Sequence, residues 1–309
     1  MLDMIVAGAA AAAVAVPMSV PGPHGDLAGT FVDAGPKAPA VLIIPGSGPT
    51  DRDGNNPMGV TAAPYRLLAE ELAARGVSSV RADKRGMFGS KAAIPDANAV
   101  TLSDYAADAH QWASALRKRA GAKCVWLIGH SEGGLIALLA AQDPRDLCGL
   151  IIVAGPGRKL GAVIREQLRA SPANAPLFSQ AMAALASLEA GKPVDTSALH
   201  PGLQPLFNAK AQPYLIEMLR ADPAKLASST KLPMLIVRGG KDIQVAAADA
   251  EALLTARPDA QLLSPPDMNH VLKDVAGTDR ASNLAAYTDP NLPIDRALVD
   301  GITAFVKRA

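Results

Sequence analysis

Short apolar runs bounded by Gly, Pro and polar residues alternate along the chain with longer segments whose apolar positions recur at helical spacing. The short runs Leu27–Val32, Val41–Ile44, Val77–Arg81, Val125–Gly129, Leu150–Ala154, Leu235–Gly239 and Gln261–Leu263 predict strands. Between them, Tyr65–Arg75, Asp104–Arg119, Gly133–Gln142 and Ala246–Ala256 predict helices, with a last one near Asp295–Lys307. Gly76, Gly121 and the Asp143-Pro144 pair stop the first three. Strands alternating with helices predict an α/β fold, a mostly parallel central sheet with helices on both faces.

From Gly157 to about Lys231 this rhythm breaks. Helical pieces are divided by prolines such as Pro172, Pro193, Pro201 and Pro223, and no good strand occurs. Leu177, Phe178, Met182, Leu185, Phe207 and Met218 make the stretch too apolar for exposed loops. It reads as a helical cap, residues 157–231, inserted into a core of residues 21–156 and 232–309. Such a cap lies at the carboxyl edge of the strands, where open α/β sheets bind ligands. Residues 1–20 have an apolar stretch of signal-peptide length with alanines before Pro17. Asp3 stands where a positive residue is expected, so the segment reads either as an export signal or as an ordinary first strand or helix. An exported protein, periplasmic or secreted, and a cytoplasmic one both fit.

A chain of 309 residues buries a core without metal or disulfide staples. Its formal net charge of +1 gives no nucleic-acid surface, and an aromatic content of 4% leaves few rings to stack on bases or sugars. The 2 cysteines exclude a disulfide scaffold. Cys124 and Cys148, however, open two runs that should be neighbouring parallel strands, about 4.8 Å apart, so a bridge between them is an expectation if the two positions are level.

The chemistry concentrates in Gly129-His130-Ser131-Glu132-Gly133, a G-x-S-x-G that follows a strand and opens a helix. Glycines on either side permit a sharp strand-to-helix turn that projects the Ser131 hydroxyl above the sheet. A serine needs a base to become a nucleophile at neutral pH. Of the 5 histidines, His24 precedes the sheet, His110 sits inside a helix, His130 is pinned beside the serine and His200 lies in the cap. His270 follows the last strand-like run, at the same edge as Ser131. Asp242, after a late strand and a Gly-Gly turn, is the candidate acid that orients the imidazole. Asp267, three residues from His270, is the competitor. An oxyanion needs fixed donors, for which the N–H groups of Glu132 and Ser47 are candidates, with Gly48 as the alternative to Ser47. No H-E-x-x-H, no paired C-x-x-C, no phosphate loop and no dinucleotide-binding glycine pattern occurs.

The segments PGSGPTDRDGNN (45–56), ADKRGMFGS (82–90), GHSEGG (129–134), AGPGRKLGAVIREQL (154–168) and GGKDIQV (239–245) resemble a bacterial esterase group of the α/β hydrolases. Its members are serine aminopeptidase-like or dienelactone-hydrolase-like, with a GSGPTDRDGN motif. The resemblance implies a serine carboxylesterase that hydrolyses small to medium acyl esters through an acyl-serine, without cofactor or metal. It implies Ser131, Asp242 and His270 as the triad. It also places Asp51, Arg52, Asp53, Asp83 and Arg85 in family motifs, where they read as loop-bracing ion pairs. The Met87-Phe88 pair departs from the shorter, glycine-like spacing expected after Arg-Gly. A peptidase, amidase or acyltransferase with the same triad is the alternative, to which an acid such as Glu166 or Glu217 holding a free amino terminus would point. A non-catalytic binding protein of the same fold is the other. The expected partner is a small ester, without nucleic acid or stable membrane insertion, and the chain is read as a monomer or homodimer.

Overall fold

The computed structural model describes residues 14–308 except Ser171. Strands β1 (Ala15–Val20), β2 (Leu27–Val32), β3 (Ala40–Ile44), β4 (Ser78–Ala82), β5 (Val125–His130), β6 (Leu147–Val153), β7 (Met234–Val237) and β8 (Gln261–Leu263) form an 8-stranded sheet in the order β1-β2-β4-β3-β5-β6-β7-β8. The first pairings, β1 with β2 and β2 with β4, are antiparallel, and the rest are parallel. The central strands are buried along their whole length, which is why they read as unbroken apolar runs.

Helix α1 (Pro64–Ala74) covers one face of the sheet. Helices α2 (Leu102–Ala120) and α3 (Glu132–Ala140) cover the other. Thr101 and Asp104 close a capping box at the start of α2, and Gly121 ends it at φ 62°. Helices α4 (Leu160–Ala170), α5 (Phe178–Glu189), α6 (Gln212–Arg220) and α7 (Pro223–Ser229) fill the predicted insertion, which contains no strand among its described residues. Ile164, Leu185, Phe207 and Leu219 anchor a separate hydrophobic cluster there. Ala227 of α7 instead joins the main core, so the last turn of the insertion packs with the sheet. Helices α8 (Ala247–Ala256), α9 (Arg280–Ala285) and α10 (Arg296–Val306) complete the chain.

The segment 1–20 divides. Residues 1–13 lie outside the described residues, whereas Ala15–Val20 is the edge strand β1, so the core begins before residue 21. Ala, Val, Pro and Met are all apolar, which hides the alternation of exposed and half-buried positions along β1, and an edge strand tolerates Pro17. Strand β6 starts at Leu147 rather than Leu150. Val125 pairs with Leu147 and Trp126 with Gly149, leaving Cys148 as the extra residue of a bulge. The Cys124–Cys148 disulfide forms there, with Cα atoms 5.2 Å apart. Among the described residues no helix is long and apolar enough to cross a membrane.

Candidate active site

Strand β5 ends at His130 and α3 begins at Glu132, so the chain reverses at one residue. Ser131 makes that turn at φ 54° and ψ −124°, a conformation costly for any side chain. A Cβ on Gly129 would come within 2.3 Å of the Gly133 carbonyl oxygen, and one on Gly133 within 2.3 Å of that of Ile44. Both glycines of the motif are therefore demanded by the close approach of β3, β5 and α3. The Ser131 N–H donates to the Val153 carbonyl at 3.0 Å, and Gly134 N–H donates to the Ser131 carbonyl at 2.8 Å. These bonds hold the strained residue in place.

After β7 the chain folds back at Gly239 and Gly240, where a Cβ would meet the carbonyl oxygens of Met268 and Pro266 at 2.2 and 2.1 Å. This approach brings Asp242 to His270. Asp242 Oδ2 lies 2.9 Å from His270 Nδ1, with side chains only 1% and 7% exposed. Asp242 Oδ1 accepts from the N–H groups of Gln244 (2.8 Å) and Val245 (3.0 Å). Burial alone raises the Asp242 carboxyl, but His270 and the two amides outweigh it and hold the group below the usual carboxylate range. Asp267 points elsewhere, to Lys241 at 2.8 Å. His24 is exposed, His110 bonds the Ala140 carbonyl, and His200 accepts from Gly202 N–H.

Two cavities meet at Ser131. One, of about 460 Å³, is lined by Ser131, His270 and His130 together with Ser47, Asn56 and Tyr287. The other, of about 600 Å³, runs beneath the inserted helices and is lined by apolar side chains including Leu160, Val163, Ile164, Leu215 and Met218. Ser47, Ser131 and Gln244 border both. The loop carrying Ser47 approaches the serine closely, a Cβ on Gly46 lying 3.2 Å from that of Ser131.

A family model described as serine aminopeptidase, S33, matches residues 58–199, a span that contains Ser131 and stops before Asp242 and His270. Esterase EstD of Thermotoga maritima is 25% identical over 279 residues, which are 87% of this chain and 62% of EstD; the chain thus spans about three fifths of the curated relative it matches. An α/β hydrolase from Penicillium, GrgF, superposes over 96% of this chain and 98% of its own, with a TM-score of 0.60 and 17% identity. The chain has the α/β-hydrolase fold. Esterase Pf2001 of Pyrococcus furiosus is also similar, at a TM-score of 0.60 and 16% identity over 96% of this chain and 91% of its own.

Within this α/β-hydrolase framework the structure brings in residues that the motifs do not single out. The Tyr65 hydroxyl accepts from Gly46 N–H (3.0 Å) and lies 2.7 Å from His130 Nδ1, to which its own proton must go. His130 Nε2 then carries the ring proton and donates to the His270 carbonyl at 2.9 Å. One neutral histidine thus ties the Ser47 loop, the serine turn and the His270 loop together. Burial, with His270 adding to it, lowers the His130 pKa from 6.5 to about 3. The folded state therefore binds a proton there less readily than the unfolded chain. Stability from this group is complete above about pH 6.5 and is lost as pH falls towards 3, at about 1.4 kcal/mol per pH unit. Between pH 7 and pH 5, the native protein should lose roughly 2 kcal/mol more than His130→Gln. Parallel curves of melting temperature against pH for the two proteins would contradict this.

A second buried network centres on Glu132. Lys84 Nζ donates to the Gly46 carbonyl at 2.7 Å and lies 3.5 Å from Glu132 Oε1, which also accepts from the Tyr214 hydroxyl of α6 at 3.0 Å. Burial lowers the Lys84 pKa and raises that of Tyr214. Four of the five motif charges form ion pairs as expected, and Asp51 does not. Arg52 binds Asp83, Arg81 binds Asp53, and Arg85 binds Asp104 and Asp108. Asp51 braces its own loop by accepting from the N–H groups of Asp53 and Asn55. Phe88, of the Met87-Phe88 pair, sits at φ 45° and is exposed.

Proposed function

We propose that this protein is a serine carboxylesterase acting on small to medium acyl esters. The observation that carries the reading is the strained Ser131 opening into the same cavity as His270, whose Nδ1 is held by a buried, ionised Asp242. Ser131 Oγ attacks the ester carbonyl while His270 Nε2 takes its proton. Asp242 fixes the tautomer and stabilises the imidazolium without taking the proton. The N–H groups of Ser47 and Glu132 receive the oxyanion; Gly46 N–H, already given to Tyr65, is not free to do so. The alcohol leaves with the proton from His270, and water hydrolyses the acyl-serine by the same steps in reverse.

Residues 157–231 act as a cap over a core formed by the described residues on either side of it, and the cap's apolar side chains receive the acyl group. Amide cleavage at a free amino terminus is less well supported. Glu166 pairs with Arg158, Glu217 accepts from Leu102 N–H, and neither lines a cavity that reaches Ser131. The Cys124–Cys148 bridge favours an oxidising compartment, hence export. The test is hydrolysis of p-nitrophenyl esters from acetyl to dodecanoyl, with a fluorophosphonate label located by mass spectrometry. The expected result is turnover and a label on Ser131. A protein that neither turns over these esters nor takes the label is not this enzyme.

A further inference from the structure

The two cavities differ in one respect that matters to the chemistry. His270 lines the 460 Å³ cavity and is absent from the lining of the 600 Å³ one. In ester cleavage the group that leaves must receive its proton from the base, so the leaving oxygen lies on the His270 side. The carbonyl carbon stays bonded to Ser131, and its chain extends to the other side. On the serine-esterase reading above, we propose that the alcohol half of the substrate is an uncharged, hydroxyl-bearing group bound in the 460 Å³ cavity, while the acyl chain lies beneath α4 and α6.

The linings support this division. Beneath the cap the charged groups are already paired, Arg158 with Asp249 and Glu132 with Tyr214, which leaves an apolar surface for a hydrocarbon chain. On the other side no Lys, Arg, Asp or Glu among the described residues lines the cavity, so an ionic alcohol would lose its hydration without a partner. Neutral polar groups line it instead. Gln244 Nε2 donates to the Tyr287 hydroxyl at 2.9 Å, leaving the tyrosine proton and Gln244 Oε1 for a ligand. Asn56 Nδ2 gives one N–H to Thr50 at 3.2 Å and keeps the other. Gly48, Gly54 and Gly59 remove side chains from the same wall, and Val60 and Val271 offer apolar contact for a short carbon skeleton.

The test compares kcat/KM for 1-octanoylglycerol, propyl octanoate and octanoylcholine, which share one acyl-enzyme and differ only in the alcohol. The glycerol ester should exceed the propyl ester by about tenfold for each hydrogen bond made, and should also exceed the choline ester. Gln244→Leu should bring the glycerol-to-propyl ratio towards one. Val163→Trp, or Leu215→Trp if the first does not fold, should disfavour octanoyl relative to acetyl esters and leave the alcohol ratio unchanged. Equal rates for the glycerol and propyl esters, a preference for the choline ester, or a change of the alcohol ratio in the tryptophan variant each overturn the assignment while the triad stands. If p-nitrophenyl octanoate itself is not hydrolysed, the esterase reading falls and takes this inference with it.

Discussion

Replacing Ser131 by alanine should lower kcat for p-nitrophenyl esters by about 10⁶-fold, the scale on which losing a triad nucleophile acts. The double variant Ser131→Ala/His270→Ala should lose nothing further, because base and nucleophile serve one proton transfer. The fold should survive the change, because Ser131 is held through its backbone by Val153 and Gly134. Ser131→Gly should be equally inactive yet more stable than the native protein by about 1 kcal/mol, since only glycine adopts φ 54°, ψ −124° without cost. Calorimetry and steady-state kinetics on the same samples check both halves. Activity within tenfold of native in Ser131→Ala would remove Ser131 from the mechanism.

Loss of the Cys124–Cys148 bridge should cost about 3.5 kcal/mol, the chain-entropy value for a closed loop of this size. For a domain of this length that corresponds to a melting temperature about 5 °C lower. The bridge is half-buried and joins the start of β5 to the bulge of β6, so it clamps the end of the sheet opposite the serine turn. Esterase activity well below the transition should therefore be little changed in Cys124→Ala/Cys148→Ala. Two titratable thiols in protein isolated without reductant would show that the bridge does not form. An unchanged melting temperature in the double variant would show that it forms without stabilising.

Much of this arrangement was legible in the sequence because its signals are local. The G-x-S-x-G between a strand and a helix, the Gly-Gly before Asp242 and the loop holding His270 each announce a turn at the same sheet edge, and the order Ser, Asp, His matches the one this fold uses for a triad. The strand and helix pattern was legible for the same reason, its boundaries moving by a few residues. Strand β1 was only one of the alternatives for the first twenty residues, because the apolar run Ala15–Met18 carries no period. The start of β6 escaped because Gly149, pressed against the Trp126 ring, and the bulge at Cys148 interrupt its apolar run. Tyr65, Lys84 and Tyr214 could not be found this way. Their partners His130, Gly46 and Glu132 stand 65, 38 and 82 residues away, and in their own helices or turns the three read as ordinary positions.

The meeting of the two cavities at Ser131 bears on the second half of the reaction. On the proposed esterase mechanism, once the alcohol has gone the space beside His270 is vacant while the acyl chain still occupies the other side. Water enters by the route the alcohol took and is activated at the same nitrogen. On the same mechanism, a small polyol present at high concentration should take that place and accept the acyl group. The fate of the acyl-enzyme is then decided by which hydroxyl compound fills the vacated side, and the ratio of acid to new ester measures how well the cavity tells water from alcohol.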